Sequence, residues 1–216
     1  MEKINQLIIA SRNKGKIIEI RELLSGFPIN IKCLDDFGPI PEVEEDGETF
    51  DENAYKKASF TARVLGHPAI ADDSGLVVDA LNGAPGVLSA RYAGPDATNE
   101  DRSNKLLQEM EGITHRKAAF ECVISIAVPT GPALTYEGRC EGIITASPQG
   151  TNGFGYDPIF YYPPLKKTFA QLSRREKGRV SHRGKALAEF KDEFEKVLVW
   201  LDQNLPVLEK FHCSHD

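Results

Sequence analysis

The sequence has no C-x-x-C pair. Its four cysteines, Cys33, Cys122, Cys140 and Cys213, stand far apart, which argues against a zinc knuckle. Cys122 and Cys140 lie in apolar, strand-like surroundings, where a reduced core thiol is the default. No apolar run approaches the roughly 20 residues of a membrane span. The opening M-E-K-I-N-Q lacks the basic stretch and long apolar run of a secretory leader, so a cytoplasmic location and no membrane association are expected. Basic excess is missing too: 26 Lys plus Arg stand against 32 Asp plus Glu, a formal net charge of −6. That balance argues against a nucleic-acid binder that neutralises many phosphates, but leaves room for one small polyanion held by a local basic cluster. There is no internal repeat and no G-x-x-x-x-G-K-[ST] phosphate loop. What remains is 216 residues of ordinary globular composition, 41% apolar and 27% charged. That is enough for one large domain or two lobes around a cleft.

The chain is organised around Ala69 to Ala80, A-I-A-D-D-S-G-L-V-V-D-A. Its density of Val, Ile and Leu predicts a buried strand. Within that strand stand two adjacent carboxylates, Asp72 and Asp73, and an unpaired buried charge costs several kcal/mol. A divalent metal, a lysine or a catalytic role would compensate them. D-S-G is also ordinary turn chemistry, and a solvated turn satisfies this stretch taken alone.

Around it, Leu7 to Ala10 predicts a first strand, and Ile17, Ile20 and Leu24 recur at helical spacing with Glu19, Arg21 and Glu22 on the other face. Ser11, Arg12, Asn13, Lys14, Gly15 and Lys16 therefore form a strand-to-helix turn, a place suited to phosphate because free N–H groups and the positive dipole end converge there. An ordinary N-cap by Ser11 or Asn13 explains the same residues. Ile29 to Leu34 predicts a second strand. Glu42 to Glu48 is an acidic loop, usually a solvated face, able also to deliver one carboxylate to a metal. A helix with Ala54, Ala58, Ala62 and Leu65 on one side follows, closed by Gly66 and Pro68. Thr98 to Asp101 resembles a capping box opening a helix. Ala118 to Val128 and the segment from Leu134 to Ile144 alternate with period two, predicting a long antiparallel hairpin. Thr151 to Pro158 is glycine-rich with two aromatics, one of which could stack on a base, although Tyr156 equally suits the core. Leu165 to Lys177 lacks periodicity and reads as irregular. Ser181 is expected to cap one last long helix with Leu187, Phe190, Phe194, Val197 and Leu201 on its apolar face, ended by Pro206. His212, Cys213 and His215 belong to a terminal tail over 203–216.

Several motifs occur together and in order: S-x-N-x-x-K at Ser11, Asn13 and Lys16; E-E-D-G-E-T-F-x-E-N-A from Glu44 to Ala54; and A-D-D-S-G-L from Ala71 to Leu76. They continue with G-x-P-G-x-x-S-A-R-Y from Gly83 to Tyr92, F-G-Y-D from Phe154 to Asp157, and S-H-R from Ser181 to Arg183. On these the sequence resembles the inosine/xanthosine triphosphate pyrophosphatases over about residues 4 to 200. Asn152 is a departure, because the family usually has Gly there.

The resemblance implies Mg2+-dependent hydrolysis of ITP, dITP and XTP to monophosphate and pyrophosphate by a homodimer, on a single 1–216 domain. The fold it implies is α/β: a long twisted mixed sheet flanked by helices, with two lobes and the active cleft between them. Carried over residue by residue, Asp73 would be general base and metal ligand, with Asp72 and Lys16 in support. Glu45 would be the second metal carboxylate, with Glu44 the less favoured substitute. Ser11, Arg12, Asn13, Lys14, Gly15, Lys16 and Lys57 would hold the triphosphate, and Ser74 would touch substrate. Phe154, Gly155, Tyr156, Asp157, Lys177, His182 and Arg183 would form the base pocket. Selection would rest on O6, an acceptor in hypoxanthine and xanthine where adenine has an amino donor.

Overall fold

The computed structural model describes residues 6–205. The expectations placed on Pro206, His212, Cys213 and His215 lie outside the described residues. The chain opens on β1 (Gln6–Ile9), α1 (Lys14–Leu23) and β2 (Asn30–Cys33), then α2 (Phe50–Leu65) and the long β3 (Ala69–Val78). α3 (Asn99–Glu109) precedes a hairpin of β4 (Lys117–Ala127) and β5 (Ala133–Ile144). Short strands β6 (Phe160–Tyr162) and β7 (Lys167–Thr168) lead to α4 (Arg174–Val180), α5 (His182–Asp192) and α6 (Phe194–Asn204). The strands make one sheet in the order β2-β1-β3-β4-β5-β6-β7. β1 pairs parallel with β2 and β3, and the remaining pairs are antiparallel. This is the mixed sheet with flanking helices that the resemblance implies, and it contains the antiparallel hairpin that the period-two pattern predicts.

Strand alternation decides what each face does. On one face of β3, Ile70 belongs to a core shared with α1, α5 and α6, while Leu76 and Val78 belong to a second core with Phe120, Phe160 and Phe169. Asp72 and Ser74 fall between these two cores on the same face, so the polar pair sits at the seam. On the opposite face Ala69 and Ala71 meet Ala58 and Ala62 of α2. Small side chains on both sides bring this helix close to the strand, within reach of Asp73. α5 approaches β5 equally closely: a Cβ on Gly138 would stand 2.0 Å from the carbonyl oxygen of His182. Only glycine lets the start of α5 rest there.

Two expectations need correcting. The stretch from Leu165 to Lys177 is not irregular throughout, since it contains β7 and the first residues of α4. α4 starts at a capping box in which the Ser173 hydroxyl accepts from the Glu176 N–H and the Glu176 carboxylate accepts from Ser173 N–H. S-x-x-E is a readable start signal, but a seven-residue helix with no buried residue leaves no periodicity to find. The last helix is two: the chain turns at Glu193 (φ −98°, ψ 2°) between α5 and α6. The apolar spacing runs through the break because Leu187, Phe190, Phe194, Val197 and Leu201 all bury in one cluster.

Candidate active site

Adjacent in sequence, Asp72 and Asp73 point to opposite faces of β3, so each is compensated by different partners. Asp72 Oδ2 lies 3.0 Å from Lys16 Nζ and accepts from Arg183 Nε at 3.1 Å. These two cations overcome the burial that opposes its charge, and hold its carboxyl far below the usual carboxylate range. Arg183 goes on to donate to Ser74 Oγ at 3.1 Å and to Glu19 at 3.3 Å. The sequence pattern places Glu19 on the outer side of α1. Its carboxylate instead reaches the cleft, and its partner, 164 residues away, leaves no local signal.

Asp73 faces α2. Lys57 Nζ stands 3.1 Å from Asp73 Oδ1 and 2.9 Å from Glu45 Oε1. Burial raises the Asp73 carboxyl above its ordinary range, Lys57 pulls it down, and Glu45 pushes it up again. Of the two acidic-loop candidates, Glu45 is turned in to Lys57, while Glu44 is exposed.

Asn13 caps α1 as an ordinary N-cap, its Oδ1 accepting from Gly15 and Lys16 N–H at 2.9 and 3.3 Å. Ser11, Asn13, Lys16, Glu45, Lys57 and Asp72 line one cleft of about 330 Å³. Arg12 also borders it, but its guanidinium is tied to Glu42 and to the Ile40 carbonyl. Lys14 and Gly15 are exposed beside it. A second cleft of about 770 Å³ is lined by Glu19, Lys177, Ser181, His182 and Arg183 among others. The clefts meet at Asp72, whose Oδ2 accepts from Lys16 on one side and Arg183 on the other.

At the second cleft, Lys177 Nζ lies 4.6 Å from the centre of the Phe154 ring and is paired with the buried Asp157. Phe154 is 47% exposed, an aromatic face left open. Asp157 accepts from the Phe154 N–H at 2.9 Å, and a Cβ on Gly153 would fall 2.0 Å from its Oδ2; glycine is required for that contact. Gly155 takes φ +63° in the same turn. Asn152, the departure from the family pattern, donates to the Leu172 carbonyl at 3.1 Å and so ties this loop to the chain entering α4. His182 stacks on Phe120 with ring centres 4.7 Å apart, and its Nδ1 is buried without a partner. Burial, with Arg183 and Lys177 nearby, keeps the imidazole neutral well below its ordinary pKa. Tyr156 is apart from this group: it is buried in the second core and its hydroxyl donates to the Ser89 carbonyl at 3.0 Å. The structure thus brings Ser11, Asn13, Lys16, Glu45, Lys57 and Asp72 to one cleft and Lys177, His182 and Arg183 to the other, and leaves Tyr156 in the core beneath them.

Comparison with known proteins is consistent along nearly the whole chain. Residues 7–193 match the model of the Ham1 family. A protein of Syntrophobacter fumaroxidans named dITP/XTP pyrophosphatase is 61% identical over 92% of this chain and 88% of its own. One of the same name from Desulfotalea psychrophila is 59% identical over 94% of this chain and 91% of its own. The solved structure of a HAM1 protein from Coxiella burnetii superposes with a TM-score of 0.86 at 43% identity, over 89% of this chain and all of that one.

Proposed function

The chain belongs to the Ham1 family, and from that premise we propose that it hydrolyses inosine and xanthosine nucleoside triphosphates (ITP, dITP and XTP) to the monophosphate and pyrophosphate. The observation that carries this reading is the pair of clefts joined at Asp72: one offers lysines, a helix N-terminus and carboxylates, and the other is lined by Lys177 and Arg183, which stand beside the exposed Phe154 ring. A triphosphate suits the first and a purine the second.

Mg2+ is the proposed cofactor. Among the described residues no three His, Cys, Asp or Glu side chains converge as a metal cage. The donors present nevertheless fit a cation that takes one or two carboxylates and fills its shell with phosphate oxygens and water. Glu45 and Asp73 already share one cation, the Lys57 ammonium. When bound there, Mg2+ would neutralise phosphate charge as it builds during the reaction. The protein's own groups do the rest. Lys16, Lys57 and the start of α1 hold the phosphates. Asp73, with its raised pKa, takes the proton of the attacking water. Phe154 stacks on the base, and Lys177, His182 and Arg183 direct donors to O6. An amino group at that position, as in adenine, would meet donors and leave them unpaired. A homodimer, which rests on the resemblance, and a cytoplasmic location, expected from the sequence, complete the proposal; no helix among the described residues is long and apolar enough to cross a membrane.

A panel of triphosphates tests the specificity. ITP, dITP and XTP are expected to exceed ATP in kcat/KM by about a hundredfold or more, the scale set by an unpaired polar group in a specific site. Robust turnover of dTTP or UTP with none of ITP would overturn the reading.

A further inference from the structure

The second cation ligand sits on a segment with no regular structure. Pro41 to Gly47 forms neither helix nor strand, whereas Asp73 is fixed in the middle of a sheet. Two carboxylates can share one divalent ion only at a set separation, so something must hold Glu45. Lys57 does so through its side chain, but an ammonium between two carboxylates occupies the place a divalent cation would take and is repelled by it. That tie is therefore lost when the cation binds.

Two other contacts grip the main chain instead. Arg91 Nη2 donates to the carbonyl of Glu45 itself at 2.8 Å. On α2, one turn before Lys57, the fully buried Asn53 accepts from the Gly47 N–H at 2.9 Å, and its amide faces the Gly47 carbonyl at 3.5 Å. A Cβ on Gly47 would come within 2.7 Å of Asn53 Oδ1, so the loop is pressed against that side chain. Arg91 ends a short 3-10 turn, Gly86–Arg91, which lies directly on β3. Ser89 Oγ accepts from the Leu76 N–H at 2.9 Å and donates to the Gly86 carbonyl at 2.6 Å, and a Cβ on Gly75 would be 2.5 Å from that same carbonyl. The turn thus takes its position from the strand two residues beyond Asp73.

We propose that Arg91 is a positioning residue which, gripping the Glu45 carbonyl while Asn53 grips Gly47, clamps the main chain from Glu45 to Gly47 to β3 and α2 and so holds Glu45 at the cation site after Lys57 has withdrawn. This rests on the proposed function, in that Glu45 and Asp73 must share the cation. Arg91 is exposed, so Arg91→Ala leaves the core untouched. The test is Mn2+ titrated into the full chain with α,β-imido-ITP, an analogue resistant at the bond to be broken, with free Mn2+ read by electron paramagnetic resonance. Arg91→Ala is expected to weaken Mn2+ binding about tenfold, as loss of one hydrogen bond from a charged donor implies. Its melting temperature without metal should be unchanged, and Arg91→Lys, which keeps a donor, should restore most of the affinity. Glu45→Gln is the internal standard and should weaken Mn2+ binding more than Arg91→Ala. If Glu45→Gln weakens binding and Arg91→Ala does not, or Arg91→Ala lowers only the melting temperature, the clamp is overturned. If neither variant alters Mn2+ affinity, the cation-site reading beneath it is overturned as well.

Discussion

Asp73→Asn is expected to lower ITP turnover by about a thousandfold while leaving the fold intact, a loss typical of removing a positioned general base. Lys16 and Lys57 remain to hold the phosphates, so ITP should still bind within severalfold of its normal affinity. The sign of the pKa shift carries the stability half of this prediction. Burial and Glu45 raise the Asp73 carboxyl above its unfolded value of 3.8. The charged form is therefore a burden on the folded state above that range, and the burden is relieved as pH falls. A neutral, isosteric amide removes the burden, so the variant should be no less stable at neutral pH, and more stable if anything. Single-turnover hydrolysis, isothermal titration with ITP and thermal unfolding check the three parts separately. Full activity in Asp73→Asn would remove it as the base.

Asp72→Asn should do the reverse and cost about 3–5 kcal/mol of stability, the range for breaking a buried ion pair and leaving charge behind. Lys16 and Arg183 both converge on Asp72 Oδ2, and the Arg183 side chain is only 7% exposed. Here the folded pKa is depressed below the unfolded 3.8. The stability Asp72 contributes is present above about pH 4 and is lost as pH falls below it. Chemical denaturation of the wild type should show that acid-side loss, and in Asp72→Asn this component should be absent. A variant as stable as wild type, with the same acid profile, would contradict the assignment. Two neighbours of one residue type are thus predicted to fail differently, one in catalysis and one in folding.

That asymmetry was within reach of the sequence. Strand alternation alone puts Asp72 and Asp73 on opposite faces, and only the partners were hidden. β3, the β4–β5 hairpin, the turn from Ser11 to Lys16 and the alanine face of α2 are all legible because each repeats a short-range pattern: period two, helical spacing, a cap. The joining of the clefts is legible only through motifs in order, since Lys16, Asp72 and Arg183 are far apart in the chain and meet through the sheet. Glu19 and Arg91 stayed hidden for a related reason. A charged residue on a helix or turn looks solvated until its distant partner is placed. Tyr156 shows the opposite case: its motif neighbours, Phe154 and Asp157, meet Lys177 at the edge of the second cleft, but its own ring fills the core and its hydroxyl satisfies a carbonyl. The break at Glu193 escaped because no Gly or Pro marks it and both helices bury the same stripe.

The central claim is that a carboxylate-lined phosphate cleft beside a purine cleft directs water to the bond between the α- and β-phosphates. Phosphorus NMR of the products from ITP and Mg2+ tests it most directly. The account predicts IMP and pyrophosphate in equal amounts, with no IDP at any time. Orthophosphate with IDP as the first products would contradict it.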